Sequence, residues 1–181
     1  MTPAGRRLLA TASELFYDRG IHAVGVDLIA ERAGTTKKTL YDRFGSKDNL
    51  VALYLRTRLE RWQAFMEERL AAFEPGTEQV MAAFDVLGEW LAANTCGCAF
   101  VNANAEIGRT DHPGVPVIHA EKQWMRSRYE QLVRDAGLPV ALGAYLHLLH
   151  EGAIVARTSG AQEDAVANAK SAARDLLAAA G

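Results

Sequence analysis

The sequence has little of what disulfide-linked, membrane-spanning or strand-rich proteins need. Only two of its 181 residues are cysteine, and Cys96 and Cys98 are too close in sequence to build a disulfide framework. No apolar run approaches the roughly 20 residues that cross a bilayer. No N-terminal segment resembles a signal peptide, and no stretch shows convincing strand alternation. We therefore expect a cytoplasmic protein without a membrane segment.

What the sequence has is helical periodicity. Hydrophobic residues make up 49% of the chain, which is typical of globular proteins, and they recur at three- and four-residue spacing. Thr2 and Pro3 are placed to cap and open the first helix, and Gly20 is placed to end it. About nine helices are predicted, over residues 3–19, 25–33, 36–44, 46–73, 77–94, 99–107, 117–136, 140–158 and 163 to near the C-terminus.

The motif that indicates function lies in residues 25–44. Two short helices meet there at a tight turn around Gly34, and Thr36 caps the second of them. In a helix-turn-helix protein the first residues of the second helix reach base edges in the major groove, where hydroxyl and ammonium groups can donate. The predicted DNA-binding residues are Thr36, Lys37, Lys38, Thr39 and Tyr41, with Arg43 and Lys47 placed to contact the DNA backbone on either side.

The predicted fold is therefore all-α, with a head and a body. Residues 1–46 would form a three-helix DNA-binding head, and residues 47–181 a helical body for ligand binding and dimerisation. Residues 1–56 carry nine basic and six acidic side chains, a net charge of +3, whereas the remainder has a net charge of −5. A positive head suits a protein that presents one end to phosphate.

These residues resemble the TetR family of transcriptional regulators. The similarity covers about residues 6–55, through LFYDRGIHAVGVDLIAERAG and TTKKTLYDRFGSKDNL. The resemblance implies an all-helical dimer, usually a repressor, with an N-terminal DNA-binding head and a ligand-sensing body. Carried over residue by residue, it places Thr36, Lys37, Lys38 and Thr39 at the groove, Tyr41 and Lys47 at phosphates, and Ile29, Ala33, Leu40 and Phe44 in the core.

Three positions depart from the family pattern. Gly25 stands where a Ser or Thr often caps the second helix and touches phosphate. Lys38 stands where a small residue is frequent, and Asp42 adds a carboxylate beside phosphate. Because of these differences, the operator sequence is not predicted. The mode of binding is still predicted to be that of a helix-turn-helix.

The body is predicted to hold a small-molecule effector. Its aromatic side chains, with a few polar groups among them, are typical of a largely apolar pocket between the fourth and seventh helices. The predicted ligand-binding residues are Trp62, Phe65, Phe84, Phe100, Asn104 and Trp124. An apolar or aromatic effector is expected and no cofactor is. The alternative is that these aromatic residues only fill a core.

The last two predicted helices carry apolar stripes rich in alanine. In the TetR family these helices pack against their twins as a four-helix bundle, and small residues allow close approach. The resemblance therefore implies a homodimer through helices 8 and 9 that binds a palindromic double-stranded operator.

Cys96 and Cys98 offer an alternative switch. They could make the protein redox- or metal-responsive, although a Cys-x-Cys pair supplies two thiolates at most and structural zinc usually needs four ligands.

Two further alternatives concern histidines. His147 and His150 could share a metal on one helical face, but a core or dimer-contact role is favoured. An enzyme that uses His119 and Glu106 as acid–base groups has no nucleophile motif, phosphate loop or metal cluster to support it.

Overall fold

The computed structural model describes residues 1–180, and within them it contains nine helices and no strand. The all-α fold predicted from the sequence is confirmed. The helices are α1 (Pro3–Arg19), α2 (Val26–Arg32), α3 (Lys37–Phe44), α4 (Lys47–Leu70), α5 (Thr77–Ala93), α6 (Ala99–Ile107), α7 (Val115–Asp135), α8 (Ala141–Thr158) and α9 (Ala165–Ala178).

The helix ends follow the capping residues closely. The Thr2 hydroxyl accepts a hydrogen bond from the Gly5 N–H at 3.2 Å, and Gly20 ends α1 with a φ of 86°, a conformation that favours glycine. The prediction was wrong at the start of α7, which begins at Val115 inside a segment expected to be a loop. Pro116 is compatible with this start, because a helix's first turn lacks intrahelical partners for its N–H groups.

The chain divides into two compact units. Unit 1 contains residues 1–61 and 98–121, and unit 2 contains residues 62–97 and the described residues from Lys122 onward. The first part of α4, all of α6 and the start of α7 therefore belong with α1, α2 and α3. The predicted boundary after residue 46 separates a DNA-binding part from a ligand-binding and dimerisation part, and it stays a prediction.

Unit 1 is built around one apolar core. Leu40 of α3 and Leu50 of α4 are completely buried in it, and α6 contributes Phe100 and Ile107. Burying a side chain of this size stabilises the fold by about 1.5–3 kcal/mol. Helix α3 packs against α1 and α2, and Leu40 joins it to the core to which α4 and α6 also contribute.

Unit 2 combines a helix pair with an aromatic cluster. Helix α9 packs on α8 and α5, with Ala169 and Ala173 buried. In the aromatic cluster, the ring centroid of Trp90 lies 5.0 Å from that of Trp62 and 5.1 Å from that of Phe65. No helix within residues 1–180 is long and apolar enough to cross a membrane.

A buried polar group interrupts the apolar interior of unit 2. The ring of His150, only 2% exposed, has its Nδ1 3.0 Å from the hydroxyl of the buried Tyr129. Burial disfavours the imidazolium and lowers the pKa of His150 to about 3. Burial also disfavours the Glu151 carboxylate, but His147 and Lys122 outweigh that effect and lower its pKa to about 2. The structure therefore gives His150 the core role that was favoured.

We predict that His150 makes the protein sensitive to mild acid. In the folded chain it stays neutral below pH 6.5, whereas in the unfolded chain it is protonated below that pH. Its contribution to stability is therefore complete above pH 6.5 and is lost as the pH falls toward 3, by about 1.4 kcal/mol per pH unit. Urea unfolding at a series of pH values measures this slope.

The matched variants are His150→Gln and His22→Gln. Glutamine at position 150 keeps a partner for the Tyr129 hydroxyl but does not titrate, so the slope between about pH 6.5 and 5 should decrease. His22→Gln is the control for the loss of a histidine, because its side chain is 69% exposed. Equal slopes in the wild type and His150→Gln would contradict the assignment.

Candidate functional site

Helices α2 and α3 form the predicted helix-turn-helix. Gly34, with a φ of 61°, makes the turn between them. The hydroxyl of Thr36 accepts a hydrogen bond from the N–H of Thr39 at 3.2 Å and caps the start of α3. Leu40 fixes the buried side of α3 with no exposed surface. The opposite side of α3 is exposed to solvent, starting from its capped N-terminal end.

The side chains predicted to contact DNA lie largely on this exposed side. Thr36, Lys37, Lys38, Tyr41 and Arg43 are exposed, and Thr39 is half-buried. The hydroxyls of Thr36 and Thr39 lie 3.0 Å apart. The capped end of α3 thus brings two hydroxyl groups and two ammonium groups to one surface, which is the donor set that base edges and phosphates accept.

Two carboxylates moderate the positive charge of this surface. The ammonium of Lys37 lies 2.7 Å from the carboxylate of Asp27, and that of Lys38 lies 2.9 Å from the carboxylate of Asp42. All four side chains are more than half exposed, so these pairs contribute little to stability. Their main effect is electrostatic, because each carboxylate would repel a nearby phosphate.

Lys47 has an intramolecular partner that the sequence did not reveal. Its ammonium donates to the main-chain carbonyl of Ile21 at 2.6 Å and lies 5.9 Å from the ring centroid of Phe16. Partial burial lowers the pKa of Lys47. An ammonium has three donors, so the predicted phosphate contact stays a prediction, while this bond joins the start of α4 to the turn after α1.

Glu106 of α6 holds the same turn from the other side. Its two carboxylate oxygens accept hydrogen bonds from the N–H groups of Ile21, at 2.8 Å, and His22, at 2.6 Å. A side chain added at Gly20 would place its first carbon 3.1 Å from this carboxylate. From the sequence, Glu106 was considered as an acid–base group of an enzyme and not as a partner of this turn. No local signal indicates a bond across 85 residues.

A second polar contact joins the α6–α7 loop to α4. The His112 ring accepts a hydrogen bond from the N–H of Gly114 through Nδ1, at 2.9 Å. Its Nε2 lies 3.4 Å from a carboxylate oxygen of Asp48, in the first turn of α4. The segment from α6 to the start of α7 therefore contacts both the turn after α1 and the start of α4.

The six predicted ligand-binding residues fall into both units. Trp62, Phe65, Phe84 and Trp124 belong to unit 2, whereas Phe100 and Asn104 belong to unit 1. Trp62 and Phe65 lie together, with ring centroids 6.2 Å apart. Phe84 is completely buried and its ring packs against a tyrosine in the core. Phe100 is a core residue and Asn104 is exposed, so their ligand roles stay predictions.

Comparison with known proteins identifies the family. The model for bacterial regulatory proteins of the tetR family matches residues 8–54. A solved structure of a TetR-family transcriptional regulator from Streptomyces coelicolor is 30% identical and has a TM-score of 0.89. That alignment covers 98% of this chain and 95% of that one. The chain belongs to the TetR family.

Two curated relatives in the TetR family come from Mycolicibacterium smegmatis. The transcriptional activator FasR is 32% identical over 132 residues, which are 73% of this chain and 60% of FasR. The transcriptional repressor KstR2 is 36% identical over 91 residues, which are 47% of this chain and 44% of KstR2. The chain thus spans less than two thirds of each. These TetR-family relatives are DNA-binding regulators, so the enzyme alternative gains no support.

We predict that Glu106→Ala loosens the turn between α1 and α2. Two main-chain N–H groups would lose their acceptor, which costs about 1–3 kcal/mol when water cannot fully replace it. Amide hydrogen exchange should therefore become faster at Ile21 and His22, as measured by NMR. Glu31→Ala, an exposed change on α2, is the control. Unchanged exchange at both amides in Glu106→Ala would contradict the role of this carboxylate.

Proposed function

We propose that this TetR-family protein is a homodimeric repressor that binds a palindromic operator and releases it when a small molecule binds the body. The observation that carries the proposal is the capped, exposed N-terminal end of α3, where Thr36, Lys37 and Lys38 meet. In helix-turn-helix dimers the two recognition helices enter successive major grooves, roughly 34 Å apart.

An exposed apolar row on α8 supports the proposed dimer. Tyr145, Leu148 and Val155 are 53%, 67% and 50% exposed, respectively. A Cβ added at Gly152, on the same helix, would meet nothing within 4 Å. Large apolar side chains in one row, with a small residue among them, suit a self-complementary helix pair. We therefore place the interface on α8, with α9 completing the bundle.

The proposed effector is an apolar or aromatic molecule, because the body contains a cluster of aromatic side chains. Trp62, Phe65 and Trp90 form the cluster around which such a molecule would bind. The effector must bind the DNA-releasing state more tightly than the DNA-binding state, since equal affinity would shift nothing. Helix α4 runs from the head into unit 2 and is the proposed lever.

The direction of regulation depends on where the operator lies. One relative is named an activator and the other a repressor, and repression by steric exclusion needs only an operator that overlaps a promoter. The alternative switch through Cys96 and Cys98 stays open for thiol oxidation, with Cys96 exposed and Cys98 half-buried. Within the described residues no group of three or more His, Cys, Asp or Glu could hold a metal ion.

We predict that replacing Lys37 and Thr39 together with alanine abolishes specific DNA binding. Each base contact contributes about 1–3 kcal/mol, so losing two should weaken binding by at least about 30-fold. Fluorescence anisotropy would measure this on a DNA fragment that the wild-type protein selects from genomic DNA. Light scattering should show that the variant is still a dimer.

Asp42→Asn is a control that should change the affinity for DNA in the opposite direction. It removes the carboxylate paired with Lys38, so it should tighten DNA binding several-fold at low salt and increase the dependence of binding on salt. Unchanged affinity in the double alanine variant would disprove the assignment of α3 to the groove.

The dimer interface gives a separate prediction. Leu148→Asp places a charge in the exposed apolar row and should convert the dimer to a monomer, because a carboxylate cannot be buried there without a partner. Val101→Asp, at a 39% exposed position on α6, is the matched control and should leave the dimer intact. Sedimentation or light scattering at one protein concentration distinguishes them. A dimeric Leu148→Asp variant would move the interface elsewhere.

A further inference from the structure

A cleft in unit 1 has no part in the function proposed above. It lies between α1 and α4, has a volume of about 370 Å³, and falls within the size range of sites for small molecules. None of the six residues predicted to bind the effector lines it. Both of its walls belong to unit 1.

The wall of the cleft includes a substantial apolar surface. Leu9 and Ala10 contribute to it from α1, together with the ring of Tyr17. Tyr54 of α4 is 3% exposed and lies beside the same space. Burial raises the pKa of Tyr54, and its neutral hydroxyl is a hydrogen-bond donor. Such a surface can bind a flat, apolar group of a ligand.

The charged groups around the cleft favour an anion. The guanidinium carbon of Arg58 lies 4.0 Å from the centroid of the Tyr17 ring. A guanidinium and a tyrosine ring each bind the face of another aromatic ring well. A guanidinium also pairs with a carboxylate or sulfonate through charge-assisted hydrogen bonds. Three guanidinium groups and two carboxylates line the cleft, which leaves an excess of positive charge.

From this geometry we infer that the cleft between α1 and α4 is a second small-molecule site, which binds a planar aromatic anion. The ring of the ligand lies against Tyr17 and Tyr54, and its acid group pairs with Arg58. Since α1 and the first part of α4 both pack in the core that holds α3, a ligand here acts on the head itself. The cleft shares no residue with the aromatic cluster proposed to bind an effector in the body.

The test uses 8-anilinonaphthalene-1-sulfonate, a fluorescent planar anion, with the full-length protein. N-phenyl-1-naphthylamine, which has the same rings but no sulfonate, is the neutral comparison. We expect one sulfonate-bearing probe bound in the cleft of each chain, in addition to any probe that binds at the proposed site in the body. Ala10→Trp, which fills the cleft from an exposed position, should weaken binding of both probes by about tenfold or more. Ala64→Trp, an exposed change on α4 outside the cleft, should leave both affinities unchanged.

Arg58→Met tests the anion contact because it keeps the length of the side chain but removes the guanidinium. It should weaken binding of the sulfonate by about tenfold and leave the neutral probe within about twofold. Equal binding in the wild type and Ala10→Trp would overturn the site. An equal loss of both probes in Arg58→Met would overturn the anionic class of ligand. Circular dichroism of each variant confirms that it is folded.

Discussion

The turn between α1 and α2 is held by charged side chains from two other helices, and it precedes the exposed surface that is proposed to contact DNA. Glu106 of α6 accepts from the N–H groups of Ile21 and His22, and Lys47 of α4 donates to the carbonyl of Ile21. The peptide group that links Ile21 to His22 is therefore hydrogen-bonded at both its N–H and its carbonyl. Helix α2 follows this turn directly and α3 comes after it, so the two helices proposed to bind DNA are joined to α6 through the hydrogen bonds of Glu106.

The elements predicted best were those that local chemistry determines. Thr2 and Thr36 cap their helices as expected, because a hydroxyl at that position satisfies an N–H that the helix leaves without a partner. The exposed and buried sides of α3 also follow from the spacing of its side chains. The N-terminal motif is long and specific enough to identify the family, which the comparisons confirm.

The partners that lie far apart in sequence could not be predicted. Nothing near Glu106 indicates that its carboxylate caps a turn 85 residues earlier, and Lys47 was assigned only to phosphate. In the body, aromatic composition suggested a pocket, yet Phe84 and Phe100 are buried core residues. Periodicity tells which side of a helix is apolar. It does not distinguish an apolar side that packs from one that encloses a ligand.

The division of the chain into two units has a consequence for building chimeric regulators. A graft that exchanges residues 1–46 between relatives would separate Ile21 and His22 from Glu106, and would also interrupt a core shared with α4. The turn after α1 in the transplanted head would then depend on whether the recipient protein has a carboxylate at the position of Glu106. A graft that keeps these contacts would also carry residues 98–121 and have its junction in α4 after Arg61. The unit that keeps these contacts together is therefore discontinuous in sequence.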